Sequence, residues 1–127
     1  METERSEQLQ DIDPSVKVLY LSEILGGKLT AYIGGAKDTA TVTRWKMRQQ
    51  KLTEGEIKRF NAAFEWVQYL DENKVSADEI KALAIGENMH SGQGLISPSK
   101  AFRNIDKAES PQEVIKAAIA AANHILS

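Results

Sequence analysis

Residues 29–46 read LTAYIGGAKDTATVTRWK, and where this stretch is divided decides the fold. Leu29, Ile33 and Ala36 can pack a short first helix, and Gly34 and Gly35 open the turn that follows. A second helix follows, expected over residues 39–49. On a wheel of about 100° per residue, Val42, Trp45 and Gln49 gather on its inner side. Ala40, Thr43, Arg44 and Met47 point the other way, with Thr39, Lys46 and Arg48 at the margins. The open side thus offers hydroxyls, small side chains and cations, as a recognition helix does when its basic margins lie on phosphates. Met47 is unusual there, although it suits a thymine methyl. Counted from Gly34 or Gly35 to Val42, the turn is longer than the three or four residues usual in a helix-turn-helix.

The charge distribution points the same way. Residues 37–59 hold Lys37, Arg44, Lys46, Arg48, Lys51, Lys58 and Arg59 against Asp38, Glu54 and Glu56, a local +4 in a chain of net charge -2. A basic band between acidic flanks can meet a polyanion on one side only. A core helix with a basic solvated face gives the same pattern, so charge alone leaves both readings standing.

Outward from this region, the punctuation is helical. Each of the three prolines follows an N-cap residue: Asp13-Pro14, Ser97-Pro98 and Ser110-Pro111. Thr53/Glu56, Ser76/Glu79 and Ser110/Glu113 have capping-box spacing. Ile57, Phe60, Phe64, Val67 and Leu70 recur at helical intervals, as do Val114, Ala118, Ala121 or Ala122, and Ile125. Trp66 falls off its stripe and is expected to be half exposed. No stretch alternates as a strand does. The expected architecture is all-α, a bundle of about seven helices near 14–25, 29–34, 39–49, 54–73, 77–86, 98–104 and 111–126. Residues 1–12 read as a mobile arm, 13–52 as a helix-turn-helix-like region and 53–127 as a second helical region. The stretch NMHSGQGLIS, 88–97, is expected to be a long irregular loop in which Leu95 and Ile96 pack in part.

Composition narrows the function classes. With no cysteine, disulfides and Cys-based zinc sites are excluded, and a reducing cytoplasm is the simpler expectation. METERSEQLQ has no apolar run of a signal peptide, and no stretch is long enough to cross a membrane. His90 and His124 stand far apart, without metal-ligand spacing to a carboxylate or to each other. Asp71-Glu72 and Asp78-Glu79 are adjacent pairs that splay around a helix instead of converging. Gly92-Gln93-Gly94 lacks the lysine of a phosphate loop. No enzymatic activity, cofactor or metal is expected.

Taken together, LTAYIGGAKDTATVTRW, the helix EIKRFNAAFEWVQYL, the segment IGENMHSGQGLISPSKAF and the Ala-rich last helix resemble the Xre/MbcA/ParS-type antitoxins over residues 25–126. Val42, Arg44 and Trp45 match that family's V-x-R-W. Arg59 and Phe64 fall in its long helix, and Asn88, Gly92 and Pro98 in its N…G…P segment. The chain departs from the family pattern at Leu83-Ala84-Ile85, where a tryptophan commonly precedes the asparagine. The resemblance implies a cytoplasmic antitoxin, expected as a homodimer, that neutralises a RES-type, NAD-degrading protein toxin and regulates its own operon through operator DNA. On this reading Thr39, Thr43, Arg44, Lys46, Met47 and Arg48 contact DNA. Asn88, His90, Gly92, Leu95, Ile96, Pro98 and Phe102 contact the toxin. The alternative is a stand-alone transcriptional regulator whose C-terminal helices dimerise it.

Overall fold

Asp13 caps a helix: its carboxylate accepts from the Ser15 N–H at 2.8 Å, and Pro14 takes the first helical position. In the computed structural model, which describes residues 12–91 and 94–127, this opens α1 (Pro14–Leu25). Gly26, at φ 88°, breaks the chain sharply, and α2 (Gly27–Gly34) begins at once, two residues earlier than the pattern predicts. Gly27 is therefore helical and only Gly26 separates the two elements. The expected mobile arm lies almost wholly outside the described residues.

The next helix, α3 (Thr39–Lys46), is set by Asp38, whose Oδ1 accepts from both the backbone N–H and the hydroxyl of Thr41, at 3.0 and 2.9 Å. The α2–α3 connection is thus Gly35–Asp38, four residues. It is the ordinary helix-turn-helix length, not the longer turn expected from the sequence. Val42 is the first buried residue of α3, but the helix itself starts three residues before it, at Thr39.

Three helices end in the same way. Ala36 N–H reaches Ala31 O and Gly35 N–H reaches Tyr32 O, with Gly35 left-handed at φ 81°. The same two-bond closure recurs after α3, where Gln49 bonds Arg44 and Arg48 bonds Trp45, and after α4 (Glu54–Glu72), where Val75 bonds Leu70 and Lys74 bonds Asp71. Arg48 and Lys74 hold positive φ, 59° and 64°, without being glycine. That is why the sequence, with no glycine to mark the stops, places these ends late.

The α4 helix is the axis of the bundle. Its capping box is complete: Thr53 N–H donates to Glu56 Oε1 at 2.8 Å, and Glu56 N–H to Thr53 Oγ1 at 3.2 Å. Ser76 caps α5 (Ala77–Ile85) through Glu79 N–H. The Ser110/Glu113 box does not form. Ser110 caps α7 (Pro111–Leu126) with no side-chain bond, and Glu113 faces Lys116 at 3.9 Å instead.

Between α5 and α7 the expected irregular loop is a small antiparallel hairpin, β1 (Met89–Ser91) and β2 (Gly94–Ile96), with His90 opposite Leu95. Strands this short show too little alternation to be read. Met89 is buried and Ile96 packs partly on the core. Then come α6 (Pro98–Arg103) and a single 3-10 turn, Ile105–Lys107.

Phe60, Phe64, Val67 and Leu70 are buried as expected, but Trp66 is buried too, at 1% exposure. It meets Phe102 at a ring separation of 5.6 Å, because α6 folds over the flank that the wheel leaves open. On α7 the buried stripe is Ile115, Ala118 and Ala122, while Ile125 is exposed. The inner face is rotated by about one residue from the expected one, and its alanines let α7 lie close to α4. Seven helices and one hairpin among the described residues make an all-α-like fold.

Candidate nucleic-acid and partner surfaces

The α3 helix is held by two side chains. Val42 and Trp45 are at 1% and 0% exposure, and Trp45 meets Phe60 edge-on at 5.4 Å. Gln49, expected inward, is exposed because the helix has already ended. With the inner side fixed, Thr39, Ala40, Thr43, Arg44, Met47 and Arg48 are exposed and Lys46 is half-buried. Five of the six residues expected on a DNA face therefore stand open to solvent, and the sixth does so in part.

These side chains are not loose. Arg44 donates Nη2 to Thr41 Oγ1 and Nε to Gln50 Oε1, both at 2.9 Å. Because Thr41 is bonded to Asp38, a chain runs from the cap of α3 to the turn beyond it. The Thr41 backbone N–H, and then its hydroxyl, hold the Asp38 carboxyl below its ordinary range. Orienting a guanidinium this way lowers the ordering cost of a later contact. Arg48 donates Nη2 to Asp13 Oδ2 at 3.1 Å on the exposed surface, a pair worth little in water and easily exchanged for a phosphate.

The partner residues divide. His90 and Leu95 are exposed on opposing strands, Leu95 at 49%. Asn88 is half-buried and donates Nδ2 to Leu83 O at 2.9 Å, closing the end of α5. Ile96 leans on the core. Pro98 and Phe102, expected at the partner face, are core residues instead, because α6 packs against α2, α4 and α5 and Phe102 meets Trp66. Gly92 lies outside the described residues. His124 is exposed in the last turn of α7.

Three features escape the sequence reading. Arg59 donates Nη1 to Gly34 O at 2.8 Å and grips Asp106 with Nε and Nη2, at 3.3 and 3.1 Å. That guanidinium joins the end of α2 to the 3-10 turn, and it holds the Asp106 carboxyl below its usual range. Lys17 is buried, with Nζ on Asn61 Oδ1 at 2.6 Å and 5.5 Å from the Phe64 ring centre. Nothing in its local pattern, VKVL, separates it from a solvated lysine. Finally, a recess of about 420 Å³ is lined by Leu25, the Gly26–Gly27 turn, Tyr32, Lys28 and Lys81.

Among the described residues no group of three or more His, Asp or Glu side chains is placed to hold a metal ion, and no helix is long and apolar enough to cross a membrane. The chain matches no family model, no curated protein and no solved structure.

Proposed function

We propose that this chain is a DNA-binding antitoxin of the Xre/MbcA/ParS kind, which uses α3 on its operator and the hairpin face on a RES-type, NAD-degrading toxin. One observation carries the DNA half: α3 commits Val42 and Trp45 to the core and leaves a row of hydroxyls and cations outside, after a four-residue turn. A helix so anchored presents that row in a fixed orientation. The basic band of residues 37–59 supplies the long-range attraction that an otherwise acidic chain lacks. Support for the toxin half comes from the sequence resemblance and from the exposed His90–Leu95 pair.

The test has two arms. A titration of labelled operator DNA from the chain's own promoter, across a range of salt, should give tight binding whose logarithm falls with the logarithm of salt. Co-expression with the neighbouring open reading frame, followed by affinity purification and an NAD-consumption assay, should give a silent complex. Absence of binding at low salt, with and without that partner, removes the DNA half; a neighbouring protein that neither co-purifies nor degrades NAD removes the toxin half.

A further inference from the structure

Lys81 sits on α5, outside the helix-turn-helix region, yet it reaches that region. A Cβ built on Gly26 would lie 3.6 Å from Lys81 Nζ, and one built on Gly27 would lie 3.6 Å from Thr39 Cγ2. Because Gly26 and Gly27 are neighbours in the chain, their Cα atoms are about 3.8 Å apart. The Lys81 ammonium therefore stands beside a turn whose next residue, Gly27, abuts Thr39, the first residue of α3. Lys28 lines the same recess, and both lysines are exposed. Neither makes an ion pair among the described residues. The third nearby cation, Arg103, is already engaged: it stacks on Tyr32 at 4.6 Å and donates Nη1 to Tyr32 O at 2.6 Å. It fixes the far wall.

The two lysines lie outside the basic band of residues 37–59, so no local sequence pattern groups them with it. The fold does. Two exposed ammonium groups beside a glycine turn give close approach without a side chain in the way, and the turn touches the N-terminal end of the exposed α3 row. Resting on the reading of α3 as a DNA-contacting helix, we infer that Lys81 and Lys28 take a backbone phosphate of the duplex flanking the α3 contact, so that α5 belongs to the DNA footprint. The contact is a point-charge contact, made alike on all sequences.

The experiment is a salt titration of fluorescence anisotropy with labelled duplexes, one of operator and one of unrelated sequence. It uses wild type, Lys81→Ala, Lys28→Ala and, as a distant control, Lys116→Ala. Loss of one phosphate contact should flatten the slope of log affinity against log salt by roughly 0.9 for Lys81→Ala, equally on both duplexes, with Lys116→Ala at the wild-type slope. A folded Lys81→Ala protein that keeps the wild-type slope overturns the inference while leaving the α3 reading intact. A wild-type protein that binds neither duplex at low salt sinks the α3 reading first, and this inference with it.

Discussion

Gly34 lies flush against Phe60: a Cβ added there would stand 2.5 Å from the ring's Cζ, closer than such atoms ever come, and 3.1 Å from Trp45 Cη2. Gly34 is a helical residue whose missing side chain lets α2 press on the aromatic pair beneath α3. Gly34→Ala, conservative by sequence, should overpack the core and cost about 1–3 kcal/mol. Thermal unfolding measures it. Phe60→Leu in the Gly34→Ala background should recover part of the loss, and strict additivity of the two changes would show that the contact is not the cause.

Trp45→Ala should cost on the order of 3–5 kcal/mol, since the ring is buried and Phe60 leans on its edge. Its Nε1–H is buried with no hydrogen-bond partner among the described residues, so Trp45→Phe also relieves an unmet donor and should cost much less. Equal losses for the two variants in chemical denaturation would mean that the indole N–H has an unseen partner.

Lys74 carries a left-handed backbone at the end of α4 without being glycine. Lys74→Gly should raise stability by about 0.5–1 kcal/mol, the relief of strain exceeding the entropy that glycine adds to the unfolded chain. A lower melting temperature would assign the lysine side chain a role of its own.

The Arg59 guanidinium, chiefly by hydrogen bonding, lowers the Asp106 carboxyl pKa. A carboxylate with a depressed folded pKa contributes stability that is fully present above its unfolded pKa of about 3.9 and is lost as pH falls below it toward the folded value. Asp106→Asn should therefore lose stability at neutral pH and have a shallower acid limb than wild type. Parallel unfolding curves from pH 7 down to pH 3 would deny the linkage.

On DNA, Arg44→Ala should weaken operator binding by about 1–3 kcal/mol while sparing unrelated sequences, whereas Lys46→Ala should act evenly and flatten the salt slope. Under the proposed toxin contact, Leu95→Asp would set a charge on the exposed hairpin face and should restore NAD consumption with the chain still folded. A folded Leu95→Asp chain that still silences its neighbour places the docking surface elsewhere.

Much of the fold is legible because its starts are written in side-chain chemistry. Asp13, Thr53, Ser76 and Ser97 each cap where the sequence says. The stops are less so, because Arg48 and Lys74 turn the chain without the glycine that advertises it. Trp66, Pro98 and Phe102 are misplaced by local reading for one reason: α6 packs over a flank of α4 from far along the chain, and a wheel knows nothing of that neighbour. On the α3 face, Thr39, Thr43, Arg44, Met47 and Arg48 follow from the Val42–Trp45 spacing alone. The Lys81 approach to Gly26 depends on tertiary contact and has no local signature.

Arg59 has a consequence for how such a chain diversifies. Its guanidinium holds the carbonyl that ends α2 and the carboxylate of the 3-10 turn at once, while α1 packs on both α4 and α5. A crossover near residue 52 would keep Arg59 and Asp106 on one fragment and draw the carbonyl at position 34 from the other, so the clasp closes only where the incoming α2 ends in the same place. Recombination at that point therefore yields folded chimeras only between chains whose α2 ends alike, whereas substitutions at the exposed positions His90 and Leu95 leave this junction untouched.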